Sequence, residues 1–163
     1  MHIGELLIMN TNNPLISLPG EGQKIAVNGI EIYLKAKAQQ TNGYWSMIEY
    51  VLPPSLPGPA PHFHKKTQEM FYILEGTLQF VLDGKAIDAP AGTLVVVPQG
   101  SIHTFKNVSP DYVRFQVWFS PGGMEQYFID VQELIRNEPS WPPSDMSKLF
   151  SLMAQHDTYG VGQ

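Results

Sequence analysis

The chain has 163 residues, no cysteine and a formal net charge of −5. This length favours one domain with a hydrophobic core, the negative charge argues against a nucleic-acid partner, and the absence of thiols excludes disulfides and thiolate metal sites. The N-terminal apolar run, residues 3–9, is short and contains Glu5, and nowhere do about 18 apolar residues follow one another. We therefore expect a cytoplasmic protein without a signal peptide or a membrane span.

Glycine and proline recur through residues 1–120 and divide them into short apolar segments, as in all-β sandwiches and barrels. Asn28-Gly29 is the dipeptide that best supplies the two positive φ angles of a type I′ turn, so the segments 25–27 and 30–34 around it predict a β-hairpin. The proline-rich run 53–61 predicts an extended loop, because proline has no N–H to donate. Further strands are predicted over residues 44–52, 70–74, 77–82, 85–87, 94–97, 104–106 and 113–119.

The pattern becomes helical after Gly122-Gly123, where apolar residues recur at intervals of three or four between Met124 and Ile135. A second helix is predicted to begin near Ser144, with Ser144 or Asp145 as its N-cap. The predicted organisation is an N-terminal extension, a β-barrel and a C-terminal helical appendage, over residues 1–20, 21–121 and 122–163 respectively.

Three of the five histidines lie in two short motifs. His62 and His64 alternate with Phe63, so on a strand both imidazoles lie on one face, about 7 Å apart. Glu69 follows a polar stretch long enough for a tight turn, and His103 begins a later strand. Imidazole nitrogens and carboxylate oxygens are accepted ligands of divalent transition metals. The pattern predicts one metal site, against the alternative that each histidine is only a hydrogen-bonded structural residue.

These motifs resemble the two signature motifs of the cupin superfamily. The first motif, glycine, His-x-His, glutamate and glycine, is supplied by Gly58, His62, His64, Glu69 and Gly76, although the spacer after Gly58 is shorter than the family pattern often has. The second, G-x5-P-x-G-x2-H-x3-N, is matched by Gly92, Pro98, Gly100, His103 and Asn107. The short spacing between the motifs and the segments 41–44 and 119–123 resemble small single-domain bacterial cupins of the quercetin-dioxygenase-like group.

The resemblance implies an all-β fold, the cupin double-stranded β-helix or jelly-roll barrel, with one or two C-terminal α-helices. It implies one divalent ion (Fe, Mn, Ni, Co, Cu or Zn) held by His62, His64, Glu69 and His103, with open coordination positions facing a cavity. Glu69 is then expected to act as a general base as well as a ligand. The resemblance also implies a homodimer in which barrels pair and exchange N-terminal strands, with residues 15–18 or the C-terminal helices as interface elements.

The favoured function is a metal-dependent dioxygenase, similar to quercetin dioxygenases, acting on a small substrate that bears an enol, a carbonyl or a phenol. A metal-dependent isomerase or decarboxylase fits the same ligands, and a non-catalytic small-molecule binding or sensing cupin is the alternative from another class. The candidate pocket residues are Phe71, Phe105 and Gln116. Gln116 shares a polar strand face with Arg114, and Glu49 lies on a similar face; each face is either outer surface or pocket wall.

Overall fold

The computed structural model describes residues 14–162, which form eleven strands, two α-helices and a short 3-10 helix at Ala38–Gln40. The strands are β1 (Gln23–Val27), β2 (Ile30–Ala36), β3 (Ser46–Leu52), β4 (His62–Phe63), β5 (Gln68–Glu75), β6 (Thr77–Leu82), β7 (Lys85–Pro90), β8 (Leu94–Val97), β9 (His103–Lys106), β10 (Val113–Ser120) and β11 (Tyr159–Gly160). The helices are α1 (Met124–Asn137) and α2 (Met146–Gln155).

The strands form two antiparallel sheets, ordered β1-β2-β3-β10-β5-β8 and β11-β4-β9-β6-β7. Their inner faces meet in one apolar core, in which Phe71 of the first sheet packs against Phe80 of the second with ring centroids 5.1 Å apart. The predicted all-β jelly-roll barrel with C-terminal helices is confirmed. Asn28 and Gly29 both have positive φ, +48° and +82°, as the predicted hairpin turn between β1 and β2 requires.

Alternation along each central strand decides which side chains enter the core. On β10 the residues Val113, Phe115, Val117 and Phe119 are buried, and the residues between them lie on the other face of the sheet. The burial pattern of the neighbouring β3 alternates in the same way. Apolar side chains with a period of two therefore cover the interior of the barrel.

The helices pack on one side of the barrel. Phe128 of α1 lies edge-on to Tyr50 of β3, with ring centroids 5.9 Å apart, and α2 contacts α1. Asp145, one of the two predicted N-caps, caps α2 by accepting a hydrogen bond from the Ser147 backbone N–H. After α2 the chain returns to the barrel as β11, a strand that sequence reasoning did not predict, and pairs with β4.

Within residues 14–162, no helix combines the length and apolar character needed to cross a membrane. Residues 1–13 of the predicted extension lie outside the described part of the chain. The side chains of Leu15, Ile16 and Leu18 in the predicted interface segment are exposed. The exchange of this segment between subunits and the homodimer stay predictions.

Candidate metal centre

Four predicted ligands meet inside the barrel, at the junction of the two sheets. His62 on β4 pairs directly with His103 on the adjacent β9, and His64 follows two residues after His62 on the same inner face. Glu69 reaches the group from β5 in the facing sheet. The metal-ligand cluster, His62, His64, Glu69 and His103, is buried, with exposures of 9%, 4%, 6% and 1% respectively.

The potential ligand atoms of the cluster all lie within 4.8 Å of one another. This separation is close to the roughly 4 Å between opposite ligands of an ion with bonds of about 2.1 Å. The imidazole centroids are 4.3 Å apart for His62 and His103, and 5.2 Å for His62 and His64. The four side chains are thus positioned to bind a single metal ion.

Backbone carbonyls fix the orientation of all three imidazoles. The Nδ1 atoms of His62, His64 and His103 donate to the carbonyl oxygens of Ala60, Asp157 and Ser101, at 2.9, 2.8 and 3.0 Å. A carbonyl oxygen only accepts, so each Nδ1 carries a proton, and in the neutral ring the lone pair is on Nε2. Metal-binding histidines ordinarily make such a hydrogen bond through the ring nitrogen that does not bind the metal.

The electrostatics of the cluster also fit a cation. Glu69 Oε2 lies 2.6 Å from His103 Nε2 and 3.5 Å from His64 Nε2. These three atoms are buried, and none of them has a hydrogen-bond partner in the described part of the chain. A carboxylate oxygen and an imidazole lone pair repel at this distance unless a proton or a metal ion lies between them. A divalent ion would satisfy all three atoms at once.

Burial and mutual contacts set the charge of the cluster. Burial lowers the pKa of His62 to about 4, so this ring is neutral near pH 7. Burial alone would raise the pKa of Glu69, but the contacts with His103 and His64 outweigh it and hold this pKa at about 2. Burial likewise acts to lower the pKa of His64, and the Glu69 carboxylate reverses that effect and raises it. Glu69 is therefore ionised, as a ligand must be.

A residue far away in sequence holds the loop between His64 and Glu69. The Asp157 carboxylate accepts hydrogen bonds from the backbone N–H groups of Lys65, Lys66 and Thr67 at 3.1, 2.8 and 2.9 Å, and from the Thr67 hydroxyl at 3.0 Å. Sequence reasoning missed Asp157, because nothing in a single sequence indicates a contact with the loop 65–67 across about ninety intervening positions.

The cluster opens onto a cavity of about 560 Å³ between the barrel interior and the helices. Phe71 and Phe105, two of the predicted pocket residues, line it on the barrel side. The helical side contributes Tyr127, Phe128, Phe150 and Met153, and Trp141 joins them from the connection between the helices. The walls are largely apolar, so the cavity suits a small apolar molecule with a polar end at the cluster.

Gln116 is placed elsewhere, and the expectation that it lines the pocket needs correction. It alternates with the buried Phe115 and Val117, so its side chain lies on the outer face of β10. There its Nε2 is 3.4 Å from Glu49 Oε2, and the half-exposed Arg114 lies 3.7 Å from the same carboxylate. The polar faces of β3 and β10 thus belong to the outside of the barrel.

Comparison with known proteins shows what parts of the chain resemble. Residues 48–119 match the family model described as the cupin domain. Quercetin 2,3-dioxygenase of Bacillus subtilis (strain 168) is 26% identical over 121 residues, which cover 71% of this chain and 34% of that protein. Acetate kinase EutQ of Clostridioides difficile (strain 630) is 40% identical over 47 residues, 29% of each chain. The chain thus spans about a third of the length of these curated relatives.

Among solved structures, an RmlC-like cupin from Shewanella frigidimarina NCIMB 400 superposes with a TM-score of 0.59 at 18% identity, covering 70% of this chain and 96% of that one. At this identity the likeness establishes the fold. It agrees with the two-sheet topology described above.

Proposed function

We propose that the chain, whose residues 48–119 match the cupin domain, is a metal-dependent dioxygenase acting on a small enol-, carbonyl- or phenol-bearing substrate. The observation that carries the proposal is the position of the buried metal-ligand cluster at the wall of a largely apolar cavity. The similarity to a quercetin 2,3-dioxygenase supports this reaction class over others that cupins host.

His62, His64, Glu69 and His103 would hold the ion. With three imidazoles and one carboxylate, a divalent ion keeps a net positive charge, polarises a carbonyl or enolate oxygen and, if redox-active, activates dioxygen. The carbonyl partners of Nδ1 keep each Nε2 directed at one point, and the largely apolar walls would bind the apolar part of the substrate.

Glu69 is the proposed general base. Its carboxylate is ionised, buried and adjacent to the place where the substrate oxygen would lie. An enol or phenol gives up its O–H proton before it is oxidised, and a carboxylate within hydrogen-bonding reach can accept it. The same base would serve an isomerase or a decarboxylase, so the consumption of oxygen distinguishes the reaction classes.

The test is metal analysis of protein purified without chelator, combined with oxygen-uptake measurements on flavonols, 1,3-diketones and phenols. We expect stoichiometric Fe, Mn, Ni or Co, and uptake with at least one compound that is lost in His62→Ala. Gln116→Ala, on the outer face of the barrel, is the control and should keep the uptake.

Stoichiometric metal without uptake would overturn the dioxygenase in favour of an isomerase, a decarboxylase or a binding protein. Failure to bind metal after reconstitution with each of these ions would overturn the metal centre itself.

A further inference from the structure

Tyr50 is a largely buried phenol at the wall of the cavity. The residue is 7% exposed and its side chain lines the cavity from β3. Its ring is fixed by a stacked contact with Phe115, at a centroid distance of 4.8 Å, and by edge contacts with Phe105 and Phe128 at 5.8 and 5.9 Å. Within residues 14–162 its hydroxyl makes no hydrogen bond. The hydroxyl is therefore available to donate a hydrogen bond to a molecule bound in the cavity.

Tyr127 brings a second phenol from the helical side of the cavity. It lies on α1, lines the same cavity and packs against Phe128, with ring centroids 5.3 Å apart. Its hydroxyl, too, makes no hydrogen bond to any residue the structure describes. Burial raises the pKa of Tyr127 to about 12 and that of Tyr50 well above its usual value, the latter also because Glu69 and Tyr127 are close to it. Both phenols are neutral donors at pH 7.

The charge of the cavity wall limits what else can bind. Of the described residues that line it, none is lysine or arginine. Phosphate groups and additional carboxylates are buried in proteins only with cationic partners or several donors. The cavity therefore favours an apolar molecule with one oxygen at the metal-ligand cluster and a neutral second oxygen within reach of the phenols.

We propose that Tyr50 and Tyr127 donate hydrogen bonds to a second, neutral oxygen of the substrate and thereby select molecules that carry two oxygens over molecules that carry one. This inference rests on the proposed function and adds the residues that determine its specificity. Tyr50 supplies the rigid donor from the barrel, and Tyr127 supplies one from the helical appendage.

The experiment is fluorescence titration of the zinc-loaded protein with 3-hydroxyflavone, which has a hydroxyl and a carbonyl on adjacent carbons, and with 2-naphthol, which has a single oxygen. Tyr50→Phe and Tyr127→Phe each remove one donor and keep the ring. We expect each to weaken the binding of 3-hydroxyflavone about five- to tenfold, as for the loss of one hydrogen bond, and to leave the binding of 2-naphthol unchanged. Tyr72→Phe, on the exposed face of β5, is the matched control and should change neither.

Thermal unfolding of the same variants in their metal-free form distinguishes a role in substrate binding from a role in stability. Because the Tyr50 hydroxyl has no protein partner in the described chain, Tyr50→Phe should unfold at the same temperature as the wild type or higher. Equal binding of 3-hydroxyflavone by wild type, Tyr50→Phe and Tyr127→Phe would overturn the inference and leave the proposed function standing. Failure of the wild type to bind 3-hydroxyflavone, 1,3-diketones and phenols would overturn both.

Discussion

The backbone carbonyl of Asp157 accepts a hydrogen bond from Nδ1 of His64, at 2.8 Å, and the side chain of the same residue holds the loop that follows His64. The next residues continue the contact, because Tyr159 pairs with Phe63 and stacks on it with ring centroids 5.6 Å apart. The segment 157–160 therefore connects the helical appendage to a predicted metal ligand.

Asp157→Gly tests this connection. Asp157 has a φ of +53°, which glycine adopts without strain, so the substitution removes the carboxylate hydrogen bonds without a backbone penalty. We expect the Zn²⁺ affinity to fall about tenfold or more, in the range found when groups that orient metal ligands are removed. Titration against a chromophoric chelator measures this affinity. Asp88→Gly is the control. Among the described hydrogen bonds the Asp88 carboxylate pairs only with the exposed Gln79 side chain, so this variant should bind zinc as the wild type does. Equal zinc affinities of the wild type and both variants would contradict the prediction.

The same carboxylate should give the metal-free protein a pH-dependent stability. Burial acts to raise the pKa of Asp157, but the hydrogen bonds from residues 65–67 outweigh it and lower this pKa below its usual value. A lowered folded-state pKa stabilises the protein above the unfolded-state pKa, about 3.9, and the contribution is lost as the pH falls through the folded-state value. The difference in unfolding temperature between wild type and Asp157→Gly should therefore shrink as the pH falls below about 4. A difference that grew over this range would show that the sign is wrong.

Local patterns predicted most of this architecture, and long-range contacts account for what they missed. The alternation of His62, Phe63 and His64 placed both imidazoles on one face because a strand has a period of two. The same period shows that Gln116 and Phe115 lie on opposite faces of β10. It does not show which face is inside the barrel, because that depends on how the second sheet packs against the first. The strand β11 could not be predicted, because two residues are too few to show a periodic pattern. The role of Asp157 could not be predicted either, because a hydrogen bond from its side chain to a loop far away in sequence leaves no local pattern.

Glu69→Gln should separate proton transfer from metal binding. Glutamine keeps the size of the side chain but does not accept a proton at neutral pH, so turnover measured at saturating metal should fall by about 10²–10⁴. Glu75→Gln on the same strand, whose side chain is 68% exposed, is the matched control and should retain full turnover. Initial rates of oxygen uptake at several metal concentrations provide the measurement, and a Glu69→Gln variant with wild-type rates would place the base elsewhere.

Gly58→Ala should disturb the site through the backbone alone. A Cβ at residue 58 would overlap the Phe105 carbonyl, so the proline-rich loop that leads to His62 has to move. We expect a loss of about 1–3 kcal/mol in the free energy of unfolding in urea, as for other overpacked positions, together with weaker Zn²⁺ binding. Gly29→Ala provides the contrast, since its Cβ would meet open space and only its positive φ of +82° would be strained. That variant should lose about 1–2 kcal/mol of stability while binding zinc normally, because the β1–β2 turn carries none of the four ligands. If Gly58→Ala matched the wild type in both stability and zinc affinity, the close approach of this loop to β9 would be wrong.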